Sequence, residues 1–241
     1  MGETSVRLFV DHALAEGERI ALTRDQAHYL FGVMRLGPGD TVEVFDGRTD
    51  GRRAEVVEAG KKAGVLVCGA VATPFRAPPD LWLMFAPIRK ERTDFIVEKA
   101  AEMGAARILP VQTEHTNAGR VKRERLQAHA VEAAEQCGGT FVPEVAEMAP
   151  LGALLDGWDA GRRILWPDEA LAGPASTLSG AEAGPWAILV GPEGGFSDGE
   201  RARLRGMACV TPVSLGPRIL RADTAAVAAL TLWQAALGDW R

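Results

Sequence analysis

The chain has 241 residues, 47% of them hydrophobic and 24% charged, with a formal net charge of −5; these are the proportions of an ordinary folded protein and exclude disordered and collagen-like chains. No apolar run reaches the roughly 18 residues that a membrane span needs, and the start MGETSVRLFVDH carries no basic region followed by a long apolar stretch. Three widely spaced cysteines, Cys68, Cys137 and Cys209, form no CxxC pair, so neither a disulfide framework nor a metal site is expected, and the reading is a cytoplasmic protein without metal, large enough for two domains.

Residues 1–73 read as a small β-barrel. The runs VRLFV (6–10), TVEVFDG (41–47), RAEVVEA (53–59) and VLVCGAVA (65–72) are β-prone and separated by glycine-bearing turns. One helix interrupts them: Thr23 followed by Gln26 has the spacing of a capping box, which satisfies free N–H groups at a helix start, so AHYLFGVMR continues as helix. TPFRAPPD at 73–80 brings three prolines together and can extend neither strand ladder nor helix. The domain boundary is expected there, with a second domain over 74–241.

In the second domain apolar strands alternate with helices. LWLMFAP (81–87) precedes a helix near 92–103 stopped by Gly104, and RILPV (107–111) precedes a helix over about 122–136. Further short apolar runs, RRILW (162–166), AILVG (187–191) and CVTPVSL (209–215), point to a mostly parallel sheet covered on both faces, an α/β fold. Ser197 with Glu200 makes a second capping box, and Asp223 or Thr224 is expected to cap the closing helix AAVAALTLWQAAL. Residues 168–185 read as a loop or lid.

Chemistry concentrates at two turns. AILVGPEGGFSDGE (187–200) runs from a buried strand through Gly191-Pro192-Glu193-Gly194-Gly195 into a capped helix, and VSLGPRILRADTAAVAAL (213–230) repeats the pattern through Leu215, Gly216, Ile219, Leu220 and Arg221. In open α/β sheets, ligands bind beyond the carboxyl ends of strands, where glycine lets backbone groups approach them closely. If the two turns adjoin, they form a largely apolar slot for a flat purine. Neither contains the Lys and Ser/Thr of a phosphate-binding GxxxxGK[ST] loop, and no GxGxxG is followed by an acidic residue, so an adenosine on a neutral or sulfonium-bearing cofactor is favoured over a triphosphate or a dinucleotide.

VGPEGGFSDGE and SLGPRILRADTA resemble the two C-terminal motifs of the RsmE family, SPOUT-class methyltransferases that modify N3 of a uridine in small-subunit (16S) ribosomal RNA. HYLFGVMRLGPGD with FDG at 45–47 is similar to that family's PUA-like barrel, and KERTDFIVEKAAEMGAARILPVQTEHT and AVEAAEQCGG to its central segments, so the resemblance covers nearly the whole chain. It implies S-adenosyl-L-methionine as cofactor, a trefoil knot from about residue 187 onward, a homodimer to which the closing helix contributes, and ribosomal RNA as substrate. Carried onto this chain, the cofactor-binding positions are Leu189, Gly191, Pro192, Glu193, Gly194, Gly195, Leu215, Gly216, Ile219 and Leu220. Arg221 is the candidate cation beside the uracil, and Glu193 or Asp223 the candidate base, with Glu193 taken first. Arg7, Arg35, Arg89, Lys90, Arg92, Arg120, Lys122 and Arg123 are the candidate contacts to RNA phosphates, although a charge run alone equally describes a solvated helix face.

The chain departs from the family pattern at Gly139, at Thr113-Glu114-His115 and at Asp223, the first two being places where a cation is usual. Two other readings stand beside this one: a non-catalytic RNA-binding relative, supported by Gly139, and a knotted methyltransferase acting on another RNA position, since the residues alone do not specify the acceptor.

Overall fold

The computed structural model describes residues 6–117 and 121–241. These form two compact units, the first reaching to Ala77 and including Ala134–Val142, the second made of Pro78–Ala133 and Pro143–Arg241.

The first unit is a five-stranded sheet. Strands β1 (Arg7–Phe9), β2 (Arg19–Ala21), β3 (Thr41–Phe45), β4 (Gly51–Ala59) and β5 (Gly64–Thr73) lie in the order β1-β3-β4-β5-β2. All pairs are antiparallel except β1 with β3. Alternate residues fill its core, among them Leu8, Ile20, Val42, Val44, Val56 and Leu66, as the period of two requires for a sheet buried on one face. Irregular register between β4 and β5 bends the pair. The expected capping box is present at Thr23 and Gln26, but the helix α1 (Arg24–Ala27) then widens into a π-helical turn over His28–Val33, with the Met34 N–H donating to the Tyr29 carbonyl. Leu30 in that turn is fully buried in the core of this unit. Arg35, at φ 59°, ends the turn.

Arg7 corrects an expectation. It is not an outward-facing phosphate contact: Nε donates to Glu43 (3.2 Å), Nη1 to the Ala134 carbonyl (3.2 Å) and Nη2 to the Gly139 carbonyl (2.9 Å), while the guanidinium lies 4.8 Å from the centre of the Phe45 ring. Its side chain is only 11% exposed. The planar guanidinium suits several acceptors at once, and three here draw it inward. It also supplies a cation beside residue 139, where this chain has glycine.

The second unit is an all-parallel sheet of β6 (Leu81–Phe85), β7 (Arg107–Gln112), β8 (Glu144–Val145), β9 (Ala149–Pro150), β10 (Arg163–Pro167), β11 (Trp186–Val190) and β12 (Val210–Val213). The order is β12-β10-β11-β6-β7-β8, with β9 also paired to β7. Its helices are α2 (Lys90–Glu102), most of α3 (Arg123–Cys137), whose last turn belongs to the first unit, α4 (Leu151–Asp156), α5 (Asp198–Gly206) and α6 (Ala222–Leu237). One face of the sheet, carrying Met84, Leu109, Trp166, Ala187 and Leu189, joins a core with Leu151 and Leu155 of α4 and Leu204 of α5. On the other face α6 packs against β11, β10 and α2. Strands covered on both sides must be apolar throughout, which is why β11 is buried at every residue.

Gln234 ties α6 to the end of α2. It is fully buried, its Nε2 donates to the Met103 carbonyl (2.6 Å), and its Oε1 accepts the Asp239 N–H (3.1 Å). Gly104, at φ 76°, supplies the left-handed turn that stops α2. The start of α6 differs from expectation: Arg221 is the N-cap residue and no side chain caps the helix. Asp223 lies two residues past the cap position and faces Arg92 instead, at 3.4 Å. No helix among the described residues is long and apolar enough to cross a membrane.

Arg7→Ala removes hydrogen bonds to three part-buried acceptors and is expected to destabilise the protein by about 1–3 kcal/mol in urea titration, with the salt dependence of RNA binding unchanged. Unchanged stability with a shallower salt slope would restore Arg7 as a phosphate contact.

Candidate active site

A cleft of about 690 Å³ opens at the carboxyl ends of β10, β11 and β12. The two predicted turns both reach it, although β11 and β12 are not neighbours: β10 lies between them. Consequently a third loop, Pro167-Asp168-Glu169 after β10, also lines the cleft. The remaining wall comes from the starts of α2 and α6, through Arg89, Arg92, Arg221, Ala222 and Ala225.

Of the positions expected at a cofactor, Gly191, Pro192, Glu193, Gly194 and Gly195 line the cleft from one side, and Leu215, Gly216, Ile219 and Leu220 from another. Leu189 does not. Its side chain is fully buried in the core with Met84 and Trp166, because successive strand residues face opposite sides, and Val190 takes the place on the cleft. The need for glycine is steric at two points. A Cβ on Gly191 would stand 2.7 Å from the Phe196 ring, and Gly195, at φ 69°, would press one 2.7 Å from Glu169 Oε1. Ile219 is 78% exposed at the rim, the most exposed large apolar side chain among the described residues.

The loop after β10 is fixed by a charge network absent from the sequence reading. Asp168, 1% exposed, accepts from Arg201 Nη1 (2.6 Å), Arg205 Nη2 (2.9 Å) and the Ala170 N–H (3.1 Å). Arg201 also pairs with Glu169 and donates from Nε to the Phe196 carbonyl (3.1 Å), so one guanidinium joins the loops after β10 and β11. Burial pushes the Asp168 carboxyl up, but its bonds to Arg205, Ala170 and Arg201 outweigh that and hold it below the ordinary value of 3.8. Arg201 responds in the opposite sense: burial lowers its pKa, and Glu169 with Asp168 more than restores it.

Two further contacts brace the cleft. Residues 173–176 run beside the loop after β12, with the Gly173 N–H donating to Gly216 O (3.2 Å) and the Ser176 N–H to Ser214 O (2.9 Å). His115 Nδ1 lies 3.2 Å from the carbonyls of both Gly194 and Gly195.

The predicted RNA contacts scatter. Arg89 and Arg92 line the cleft, whereas Lys90 and Lys122 are exposed outside it. Arg123 donates from Nε to the Val145 carbonyl (2.9 Å) and thereby holds β8. Arg35 is exposed on the first unit, and Arg120 lies outside the described residues. Arg221 is exposed on the cleft, with no side-chain partner among the described residues, and Arg218, which the sequence reading passed over, lines the same wall. Arg218 could have been noticed as the cation inside the second turn itself. Among the described residues no group of three or more His, Cys, Asp or Glu could hold a metal.

The chemistry of the cleft fits a nucleoside-bearing methyl donor: Val190, Val213, Leu215, Ile219 and Leu220 supply apolar surface, glycine-rich backbone supplies polar groups, and the volume is that of a small-ligand site. Residues 76–234 match the family model described as an RNA methyltransferase domain, and residues 22–67 match the one described as an RNA methyltransferase PUA domain. Fold and site together thus define an RNA methyltransferase.

Within that class, the chain belongs to the ribosomal RNA small subunit methyltransferase E (RsmE) family. It is 29% identical to the Rickettsia conorii enzyme of that name, covering 93% of each chain. A Neisseria gonorrhoeae RsmE, solved bound to S-adenosylmethionine, superposes with a TM-score of 0.87 at 25% identity, over 98% of this chain and 100% of that one. A Legionella pneumophila methyltransferase solved with the same cofactor gives 0.89 at 27%, over 98% and 99%.

Because the Asp168 carboxyl is depressed, the stability it contributes is present above its unfolded-state value and lost as pH falls through the lower folded-state value. Asp168→Asn is expected to cost about 1–3 kcal/mol at pH 7, with the gap to wild type closing below about pH 4 in a series of urea titrations. A gap independent of pH would show that the charge on Asp168 does not hold these loops.

Proposed function

We propose that this protein is an S-adenosylmethionine-dependent methyltransferase that modifies N3 of a uridine in small-subunit (16S) ribosomal RNA, in the cytoplasm. The observation that carries the reading is the apolar, glycine-walled slot at three adjacent strand ends with an unpaired arginine on its wall. Membership of the RsmE family supplies the acceptor position.

The two domains divide the work in this reading: residues 1–73 form the RNA-binding barrel and residues 74–241 the SPOUT-type catalytic domain. Insertion of β11 between β6 and β10, and the pairing of residues 173–176 with the loop after β12, support a C-terminal segment tucked into a trefoil knot. A homodimer is supported by Ile219, exposed at the rim, and by the outer side of α6, where Thr224, Thr231 and Ala235 present small side chains to solvent.

When bound, S-adenosylmethionine supplies an electrophilic methyl group on a sulfonium. The side chains of Leu215 and Leu220, with Ile219 at the rim, would hold it by its apolar surface, and backbone groups of Gly191–Gly195 would meet its polar groups. Arg221, fixed at the start of α6, faces the uracil and offsets the negative charge that grows on its carbonyl oxygens as the N3 proton leaves. Glu193, half exposed on the cleft, is the proton acceptor within reach of solvent, whereas Asp223 is turned toward Arg92. The exposed cations Arg35, Lys90 and Lys122 contact RNA phosphates, which makes binding salt-dependent.

Arg221→Ala is expected to lower methylation by about 10²–10³-fold while calorimetry finds S-adenosylmethionine binding nearly intact. Unchanged turnover would remove Arg221 from the chemistry. Mass spectrometry of 16S ribosomal RNA from a deletion strain, with and without the gene restored, tests the acceptor: a uridine that loses and regains its N3 methyl group is expected, and an unaltered RNA would contradict the reading.

A further inference from the structure

Arg92 is turned into the cleft, and its bonding there is incomplete. Nη1 is shielded from solvent and has no hydrogen-bond partner among the described residues. The carboxylate oxygens paired with it are Asp223 Oδ2 at 3.4 Å and Glu193 Oε1 at 3.9 Å, both beyond the roughly 2.7–2.9 Å of a charge-assisted hydrogen bond. A guanidinium stays protonated in proteins, so this N–H cannot escape its unmet demand by losing a proton. The rest of the side chain is part-exposed and lines the cleft, so an acceptor bound there meets this guanidinium.

The chemistry of the surroundings narrows that acceptor. Two carboxylates flank one cation, so a third full negative charge placed beside Arg92 would be repelled by Glu193 and Asp223. A carbonyl oxygen that becomes negative only during reaction meets no such penalty in the ground state and gains most at the transition state. Uracil N3 sits between two carbonyls, and both share the charge once the N3 proton has gone. Asp223, which faces Arg92 of α2, is two residues from Arg221 at the start of α6, and both arginines line the same cleft.

We infer that Arg92 is a second catalytic cation, donating to one uracil carbonyl oxygen while Arg221 serves the other. The inference rests on the methyltransferase reading above. In the step, the N3–H bond breaks and its proton passes to Glu193 and on to water. The N3 electron pair forms the bond to the methyl carbon, and the carbon–sulfur bond breaks with its pair returning to sulfur, leaving a neutral thioether.

The test is single-turnover methylation by the full-length protein across pH, with the target RNA saturating. Arg92→Gln is expected to slow the reaction by about 10²–10³-fold at neutral pH, to displace the rise of rate to higher pH, and to leave affinity for S-adenosylmethionine within about threefold of wild type. RNA carrying 5-fluorouridine at the target, whose N3–H is more acidic, is expected to restore the variant more than the wild type. Lost affinity for the methyl donor would assign Arg92 to the donor's carboxylate. A weakened, less salt-dependent RNA affinity with an unchanged rate would make it a phosphate contact, and a slower rate with neither pH displacement nor fluorouridine rescue would make it a holder of Glu193 and Asp223; each of these overturns the proposal. Should Arg92→Gln fail to fold, Arg92→Lys is read by the same profile, where an unshifted rise would also overturn it. A wild type that neither binds the donor nor methylates would instead sink the underlying reading.

Discussion

Insertion of β11 between β6 and β10 is the constraint on which the site depends. A parallel sheet sends every strand out at the same edge, so the loops after β10, β11 and β12 are forced to share one opening. Their hydrogen-bonded registers, Leu165 opposite Ile188 and Thr211, set how far each loop projects. The cleft is therefore a property of topology first and of side chains second. Those side chains then need help, because a loop rich in glycine holds its shape poorly. Arg201 provides it by bonding Asp168, Glu169 and the Phe196 carbonyl at once.

A net charge of −5 conceals a locally interleaved pattern. Arg89, Arg92, Arg218 and Arg221 line the same cleft as Asp168, Glu169 and Glu193. Paired groups such as Asp168 and Arg201 shape the walls. Arg221, exposed on the cleft without a side-chain partner among the described residues, and Arg92, only loosely held by Asp223 and Glu193, are the ones placed to meet a substrate. The distinction between structural and reactive cations is one of bonding, and it separates Arg7, with three acceptors, from Arg221, with none among the described residues.

The long apolar strands and both capping boxes were legible because their signals are local: period, length, and a hydroxyl three residues ahead of an amide or carboxylate. Short elements were not. β2, β8 and β9 span two or three residues each, too few for any periodicity, and α4 begins at Leu151 without a side-chain cap. The π-helical turn of His28–Val33 differs from α-helix only in its hydrogen bonding, which composition does not report. The two turns of the cleft were visible from their glycines. The charge network that holds the third loop was not, nor was the placement of Arg7, since Asp168 finds Arg201 33 residues away and Arg7 finds Gly139 132 residues away. Leu189 was misplaced by one step of the strand period.

Methyl transfer by this protein requires that one slot take up a nucleoside-bearing methyl donor. A crystal structure of the protein soaked with S-adenosylmethionine tests that directly. The expected result is density for the adenosine between the loop at Gly191–Gly195 and the loop at Leu215–Leu220, with the sulfonium methyl turned toward Arg221. Density at another surface, or none at donor concentrations that saturate other members of the family, would contradict it.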